Sequence, residues 1–289
     1  MDNRVFEQST WNGDGAQIVT LTRNLVKAVD AAKETVLNNL TESATLTGET
    51  NQYGDKTLLL DLKAENAIID VIGQLDTPMM ILSEERGLII PEGRPEYMAV
   101  IDPIDGSANI KRGIPLCSIG ISAVRYSEKM TTDDAEISII ESVFSDETYI
   151  AEKELGVRRN GRTVRVADPT PLQQNIISYD TKKSGDESFL TSSMRVIRGV
   201  HDIRRSASNL LDLCWVASGA LNAMVDMRGM LPIVHVSGTH MVFEAGGYVA
   251  EADGSRLNLP IMANQMMSFV AASDEVTANE ILALFRGEP

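Results

Sequence analysis

Apolar positions along this chain fall into two rhythms. Over residues 16–39 they recur every three or four positions, at Ile18, Leu21, Leu25, Val29, Ala32 and Val36, which predicts a helix with one apolar stripe. The same spacing returns over residues 56–75. Met79-Met80-Ile81-Leu82 is a short unbroken apolar run ending at Ser83-Glu84-Glu85, and it predicts a buried strand. A loop punctuated by Pro91, Gly93 and Pro95 follows. Tyr97-Met98-Ala99-Val100-Ile101 then predicts a second strand that runs directly into Asp102. Residues 116–124 and 137–144 read as strands, 147–151 pairs with the latter through Ser145-Asp146, and Asn160-Gly161 marks a tight turn. Further on, 176–179 and 223–226 predict strands, while 206–218, 236–245 and 277–285 predict helices. Gly219 and Gly246-Gly247 stop the first two of these helices.

Strands and helices alternate without a strict βαβ rhythm, so the class is α/β or α+β with stacked layers. Pro169-Thr170-Pro171 is the best boundary, dividing the chain into residues 1–168 and 169–289. A length of 289 residues suffices for one large domain or two intimately packed halves.

Composition narrows the partners. A net charge of −15 argues against nucleic acid, whose phosphates call for Lys and Arg. It would also repel a phosphate substrate unless a bound divalent cation inverted the local field. No apolar run is long enough to span a bilayer, so no membrane partner is expected. The first seven residues carry acids where a signal peptide needs a basic region and an apolar core. A cytoplasmic protein is therefore expected. Cys117 and Cys214, the two cysteines, lack metal or redox spacing and read as buried free thiols.

The candidate chemistry centres on Asp102-Pro103-Ile104-Asp105-Gly106-Ser107. Two carboxylates at the end of a buried strand are costly unless something positive meets them. Pro103 bars an ordinary helix across the pair, and Gly106 lets backbone approach a ligand. Hard oxygen donors of this kind suit Mg²⁺, whose remaining positions take water and phosphate. Each neighbouring acid also has a plainer reading. Glu84-Glu85 could be a surface pair. Asp61, inside Leu58-Leu59-Leu60-Asp61-Leu62, could be a helix N-cap.

Taken in order, Ser83-Glu84-Glu85, the 102–107 stretch and Phe243-Glu244-Ala245-Gly246-Gly247 resemble the inositol monophosphatase superfamily. The resemblance is strongest to its archaeal branch, which handles inositol monophosphate and fructose 1,6-bisphosphate. Gly54-Asp55-Lys56-Thr57 through Asp61 and Glu65, and Ala217 to Ala223, support it. The resemblance implies a layered αβαβα sandwich of the sugar-phosphatase type, a homodimer, and hydrolysis of a phosphate monoester on a small polyol or sugar. The first half would carry most metal ligands and the second would close the substrate pocket. Glu84, Asp102, Asp105 and the Ile104 carbonyl would hold Mg²⁺. The N–H groups of Gly106 and Ser107 would receive phosphate. Asp61 and the Ser107 hydroxyl, where the family usually has threonine, would polarise the attacking water, with Glu84 also counted as catalytic. Arg204 would contact substrate or pair with an acid, and Asp226 would meet substrate hydroxyls or serve structure.

One position departs from the family. A further carboxylate normally precedes the Glu-Ala-Gly-Gly stretch, but this chain reads Ile233-Val234-His235-Val236. Counted from upstream His235 takes that place; counted back from Glu244, Val234 does. His235 as a ligand would shift preference towards Mn²⁺, Zn²⁺ or another borderline ion; otherwise the enzyme is weakened or inactive. Ala207-Ser208 also replaces a usual Gly-Ser or Gly-Thr. The alternatives are a catalytically impaired homologue binding phosphometabolites or a partner protein, and a phosphatase for 3′-phosphoadenosine-type nucleotides.

Overall fold

The computed structural model describes residues 13–54, 56–181 and 186–288. The acidic segment 1–7 and Asp55 lie outside them. Helices α1 (Gly13–Asn38), α2 (Leu59–Ile72), α3 (Ser107–Ile110), α4 (Glu187–Gly199), α5 (Asn209–Ala217), α6 (Val236–Glu244) and α7 (Glu275–Arg286) enclose two large sheets. One sheet has eight strands in the order Arg162–Val164, Gly156–Arg159, Thr148–Glu152, Ala135–Ser142, Ser118–Arg125, Tyr97–Asp105, Met79–Ser83, Gly87–Ile89. The other has five, in the order Asp202–Arg204, Ile176–Tyr179, Ala223–Pro232, Met266–Ala272, Tyr248–Glu251.

Period-2 alternation assigns the layers. Along Tyr97–Asp105, the side chains of Tyr97, Ala99 and Ile101 face α1 and α2, where the α1 stripe of Leu21, Leu25, Val29, Ala32 and Val36 is buried. Met98 and Val100 face the other way, onto Leu210 and Leu213 of α5 and Val236 and Met241 of α6. The far side of α5 and α6 meets Met224, Phe269 and Ala271 of the five-stranded sheet. Val225, Val270 and Ala272, on that sheet's opposite face, pack under α4 and α7. The order is helices, sheet, helices, sheet, helices: the expected αβαβα sandwich.

Several boundaries move. The helix expected over 56–75 is a strand, Lys56–Leu58, followed by α2. Lys56–Leu58 pairs with Leu46–Thr50, and the run Leu58-Leu59-Leu60 has no periodicity to mark the changeover. Asn160 and Gly161 both have positive φ, at 49° and 77°, and close a two-residue hairpin between Arg159 and Arg162. Helix α4 has no counterpart in the sequence reading, because its buried positions are Phe189, Ser193 and Val196, too polar to register as an apolar stripe.

Two features of the eight-stranded sheet position the site. Met79–Ser83 runs parallel to Tyr97–Asp105, with Ser83 opposite Ile101. Both strands therefore finish at the same end of the sheet, and the Glu84 N–H donates to Ile101 O at 3.2 Å. Against Ser118–Arg125, Asp102 pairs with Gly120 but Asp105 pairs with Ser118. Three steps on one strand match two on the other, which is a bulge at Pro103-Ile104. In a regular strand, residues three apart face opposite sides; the extra residue returns Asp105 to the side of Asp102.

Candidate metal centre and active site

Asp102 is fully buried, and neither carboxylate oxygen has a hydrogen-bond partner among the described residues. Burial, together with the charges of Glu84 and Asp105, pushes its pKa well above the usual carboxylate range. An unpaired carboxylate in such a place is among the costliest arrangements a fold can hold, and a bound cation would relieve it.

Asp105 is held by its other oxygen. Oδ2 accepts from Ser208 Oγ at 2.6 Å, from the Leu210 N–H in the first turn of α5 at 2.7 Å, and from Ser118 Oγ at 3.3 Å. Oδ1 is left facing His235. Glu84, partly buried at the end of Met79–Ser83, has its pKa raised to about 7, chiefly by burial and against the pull of His235. The loop carrying Glu84 is anchored from below. Fully buried Glu65 accepts from the Arg86 N–H at 3.1 Å and pairs with the Arg86 Nε at 3.2 Å.

Asp61 is the third residue of α2 rather than its N-cap. Its Oδ2 accepts weakly from the Leu58 N–H at 3.4 Å, so the plainer reading is met in part. Its Oδ1 lies 3.4 Å from Ser107 Oγ, which also donates to Ile104 O at 3.0 Å. Burial and the nearby Glu85 and Glu84 raise the Asp61 pKa well above normal, and the Leu58 and Ser107 contacts oppose the shift.

The register question at the departure is answered by packing. Val234 is fully buried in the apolar cluster between the sheets, while the His235 ring reaches the carboxylates. His235 Nε2 is 3.4 Å from Asp102 Oδ2 and 3.6 Å from Asp105 Oδ1, and Nδ1 lies 3.2 Å from Pro232 O. Burial works to lower its pKa, but Asp105, Glu84 and the Pro232 carbonyl prevail, and the net shift is upward.

These groups line one cleft of about 440 Å³, with Asp61, Glu84, Glu85, Asp102, Ile104, Asp105, Gly106, Ser107 and His235 among its walls. Gly106 has φ 97° and serves as the N-cap of α3; a Cβ there would sit 2.8 Å from Leu116 O. Only glycine fits. Ala207, opposite, holds φ 60°, a left-handed conformation that glycine adopts without strain and alanine does not.

Two expected site residues are not brought to the cleft. Arg204 is half exposed on the edge strand Asp202–Arg204, bonded to Asp202 at 2.5 Å and to Ile203 O at 2.8 Å. Asp226 is fully buried and clasped by Arg228, Nε to Oδ1 at 2.9 Å and Nη2 to Oδ2 at 2.5 Å. Sequence reading missed Ser118, which supports Asp105, and Lys111 on the cleft wall; neither carries a local signal. Lys56, Glu65 and Ser208 stood in stretches it noted, but it gave them no role at the site. Cys117 and Cys214 are buried free thiols as expected.

The donors present fit a divalent cation: two buried carboxylates with oxygens to spare, an imidazole nitrogen, a further glutamate and a backbone carbonyl. Among the described residues no helix is long and apolar enough to cross a membrane.

Comparison with known proteins agrees with this geometry. A bifunctional NADP phosphatase/NAD kinase of Methanococcus maripaludis is 28% identical over 80% of this chain, which spans only 43% of that protein's length. A fructose-1,6-bisphosphatase/inositol-1-monophosphatase of Thermococcus kodakarensis is 26% identical over 83% of this chain and 87% of its own. A solved inositol monophosphatase–fructose 1,6-bisphosphatase superposes with a TM-score of 0.78 at 25% identity, covering 91% of this chain and 98% of the other. The inositol monophosphatase family model matches residues 18–288. With that match running through both sheets and every wall of the cleft, this chain belongs to the inositol monophosphatase family.

Proposed function

We propose that the protein is a metal-dependent phosphoric monoester hydrolase acting on a small phosphorylated polyol or sugar, with inositol 1-phosphate and fructose 1,6-bisphosphate as its substrates. The observation that carries this reading is Asp102: two buried carboxylate oxygens without a hydrogen-bond partner among the described residues, on the floor of a cleft whose wall includes Gly106 and Ser107.

Glu84, Asp102, Asp105 and the Ile104 carbonyl would hold Mg²⁺, with His235 beside them. When bound, the cation supplies charge neutralisation at the phosphoryl oxygens and lowers the pKa of water. The chain's own groups do the rest. The Gly106 and Ser107 N–H groups, with Lys56 and Lys111 nearby, orient the phosphate. Ser107 Oγ passes a proton from the attacking water to Asp61 Oδ1, whose raised pKa suits it to receive one. Water adds to phosphorus as the ester P–O bond breaks, and the departing oxygen is protonated from solvent. Residues 1–168 supply all of these donors but His235, and residues 169–289 close the pocket.

The relatives' names support the polyol and sugar substrates, and the Methanococcus protein adds NADP as a nucleotide comparator. A cytoplasmic location and a homodimeric assembly are part of the proposal, the assembly carried over from the family resemblance, and light scattering of the purified chain tests it. Activity is tested by phosphate release from inositol 1-phosphate, fructose 1,6-bisphosphate, NADP and a 3′-phosphoadenosine nucleotide. Mg²⁺, Mn²⁺ and Zn²⁺ are titrated against a chelated control. No release with any ion, from folded protein, would leave a binding-only homologue in its place.

A further inference from the structure

The donors at the floor of the cleft are of two kinds. Glu84, Asp102 and the Ile104 carbonyl offer oxygen alone. Asp102, Asp105 and His235 converge with one nitrogen, their donor atoms all within 4.8 Å of one another.

His235 occupies the N-cap position of α6 and makes no capping hydrogen bond. Aspartate, asparagine or serine there would stabilise the helix by about 1 kcal/mol. The imidazole turns instead to the carboxylates. The Nδ1 contact with Pro232 O assigns the ring proton to Nδ1. In the neutral ring that would bind a cation, Nε2 carries the lone pair, and it lies 3.4 Å from Asp102 Oδ2 and 3.6 Å from Asp105 Oδ1. Asp105 is preset for the same point, because its Oδ2 is already committed to Ser208 and Leu210. Asp102 brings two oxygens with no hydrogen-bond partner among the described residues.

We infer that Asp102, Asp105 and His235 form a nitrogen-containing cation position that selects Zn²⁺ or a similar late first-row ion over Mg²⁺. The inference rests on the metal centre of the proposed function and deepens it.

Two arguments favour the softer ion. Imidazole suits Zn²⁺ and its neighbours, whereas Mg²⁺ takes oxygen and keeps its waters. A neutral ring also brings no negative charge to the position, which a hard ion feels most.

The test uses the full metal-stripped chain beside His235→Asp and His235→Gln, each shown to be folded by circular dichroism. Zn²⁺ and Mg²⁺ affinities are measured by calorimetry, and Co²⁺ serves as a spectroscopic stand-in. Zn²⁺ binds most sites more tightly than Mg²⁺, so the change in the ratio between variants is the readout. In both variants the Zn²⁺ to Mg²⁺ affinity ratio is expected to fall by more than about tenfold, the least that loss of a direct ligand should cost. The Co²⁺ visible spectrum should lose the intensity of a low-coordinate site. An unchanged ratio and an unchanged Co²⁺ spectrum would overturn the inference while leaving a Mg²⁺ phosphatase intact. Failure of the folded wild-type chain to bind either ion would overturn both this inference and the metal centre on which it rests.

Discussion

Replacing Asp102 by asparagine should raise the stability of the metal-free protein while abolishing hydrolysis. In the absence of a cation, Asp102 is a buried carboxylate with no hydrogen-bond partner and an Asp105 oxygen within 4.8 Å. Two like charges at that distance repel by about 3 kcal/mol at an effective dielectric constant of about 20. The raised Asp102 pKa and the neighbouring His235 imidazole relieve part of this, leaving a net gain for the amide of about 1–3 kcal/mol at pH 8. For a chain of this size, roughly 2 °C per kcal/mol gives a rise in Tm of about 2–6 °C. The sign depends on pH. Because the folded-state pKa lies above that of the unfolded chain, the folded protein binds more protons. Wild-type stability then falls as pH climbs from about 4 through the raised value. The gap between variant and wild type should therefore widen from pH 5 to pH 8. A cation at 1,000 times its Kd should return about 4.1 kcal/mol to the wild type and far less to the variant, so the order of the two Tm values should reverse. Scanning calorimetry with and without chelator, at both pH values, reads all of this. A metal-free variant that melts lower than wild type at pH 8 would show that Asp102 is already satisfied within the protein, and the reasoning would fail.

Ser107→Ala should lower kcat by about 10²-fold or more with the fold intact, since it removes the link between water and Asp61; steady-state rates beside circular dichroism check it. Glu65→Gln should weaken cation binding by about 10–100-fold, because Arg86 and the Glu84 loop lose their anchor; calorimetric titration is the measurement. Ala207→Gly should stabilise the protein by on the order of 1 kcal/mol by releasing the left-handed strain at φ 60°, read by urea denaturation. Native protein should be unreactive to a thiol reagent until unfolded, because Cys117 and Cys214 are fully buried and burial pushes the Cys117 thiol up to about 12.

The acids of the centre were legible in the sequence because each sits where a strong local signal stops. Glu84 ends one apolar run and Asp102 ends the next, and the parallel pairing of those strands places them side by side. The return of Asp105 to the same side was not legible, since a bulge leaves no mark in periodicity. His235 and Val234 could not be told apart by counting, because the difference lies in which one the apolar layer accepts. Arg204 and Asp226 carried family-like positions, but each found a partner two residues away, Asp202 in one case and Arg228 in the other. Short-range ion pairs of this sort decide a side chain's direction without altering the pattern of the sequence.

The hydrogen bond from Leu210 to Asp105 spans 105 positions of chain. With Ser208, it means that Asp105, supplied by the eight-stranded sheet, is oriented by the first turn of a helix in the layer beneath it. The centre is therefore complete only where that sheet and the middle helical layer meet. A cation held by Asp102, Asp105 and His235 would act as a clasp between distant stretches of chain. Release of the cation should lower the barrier to separating the layers as well as end the chemistry.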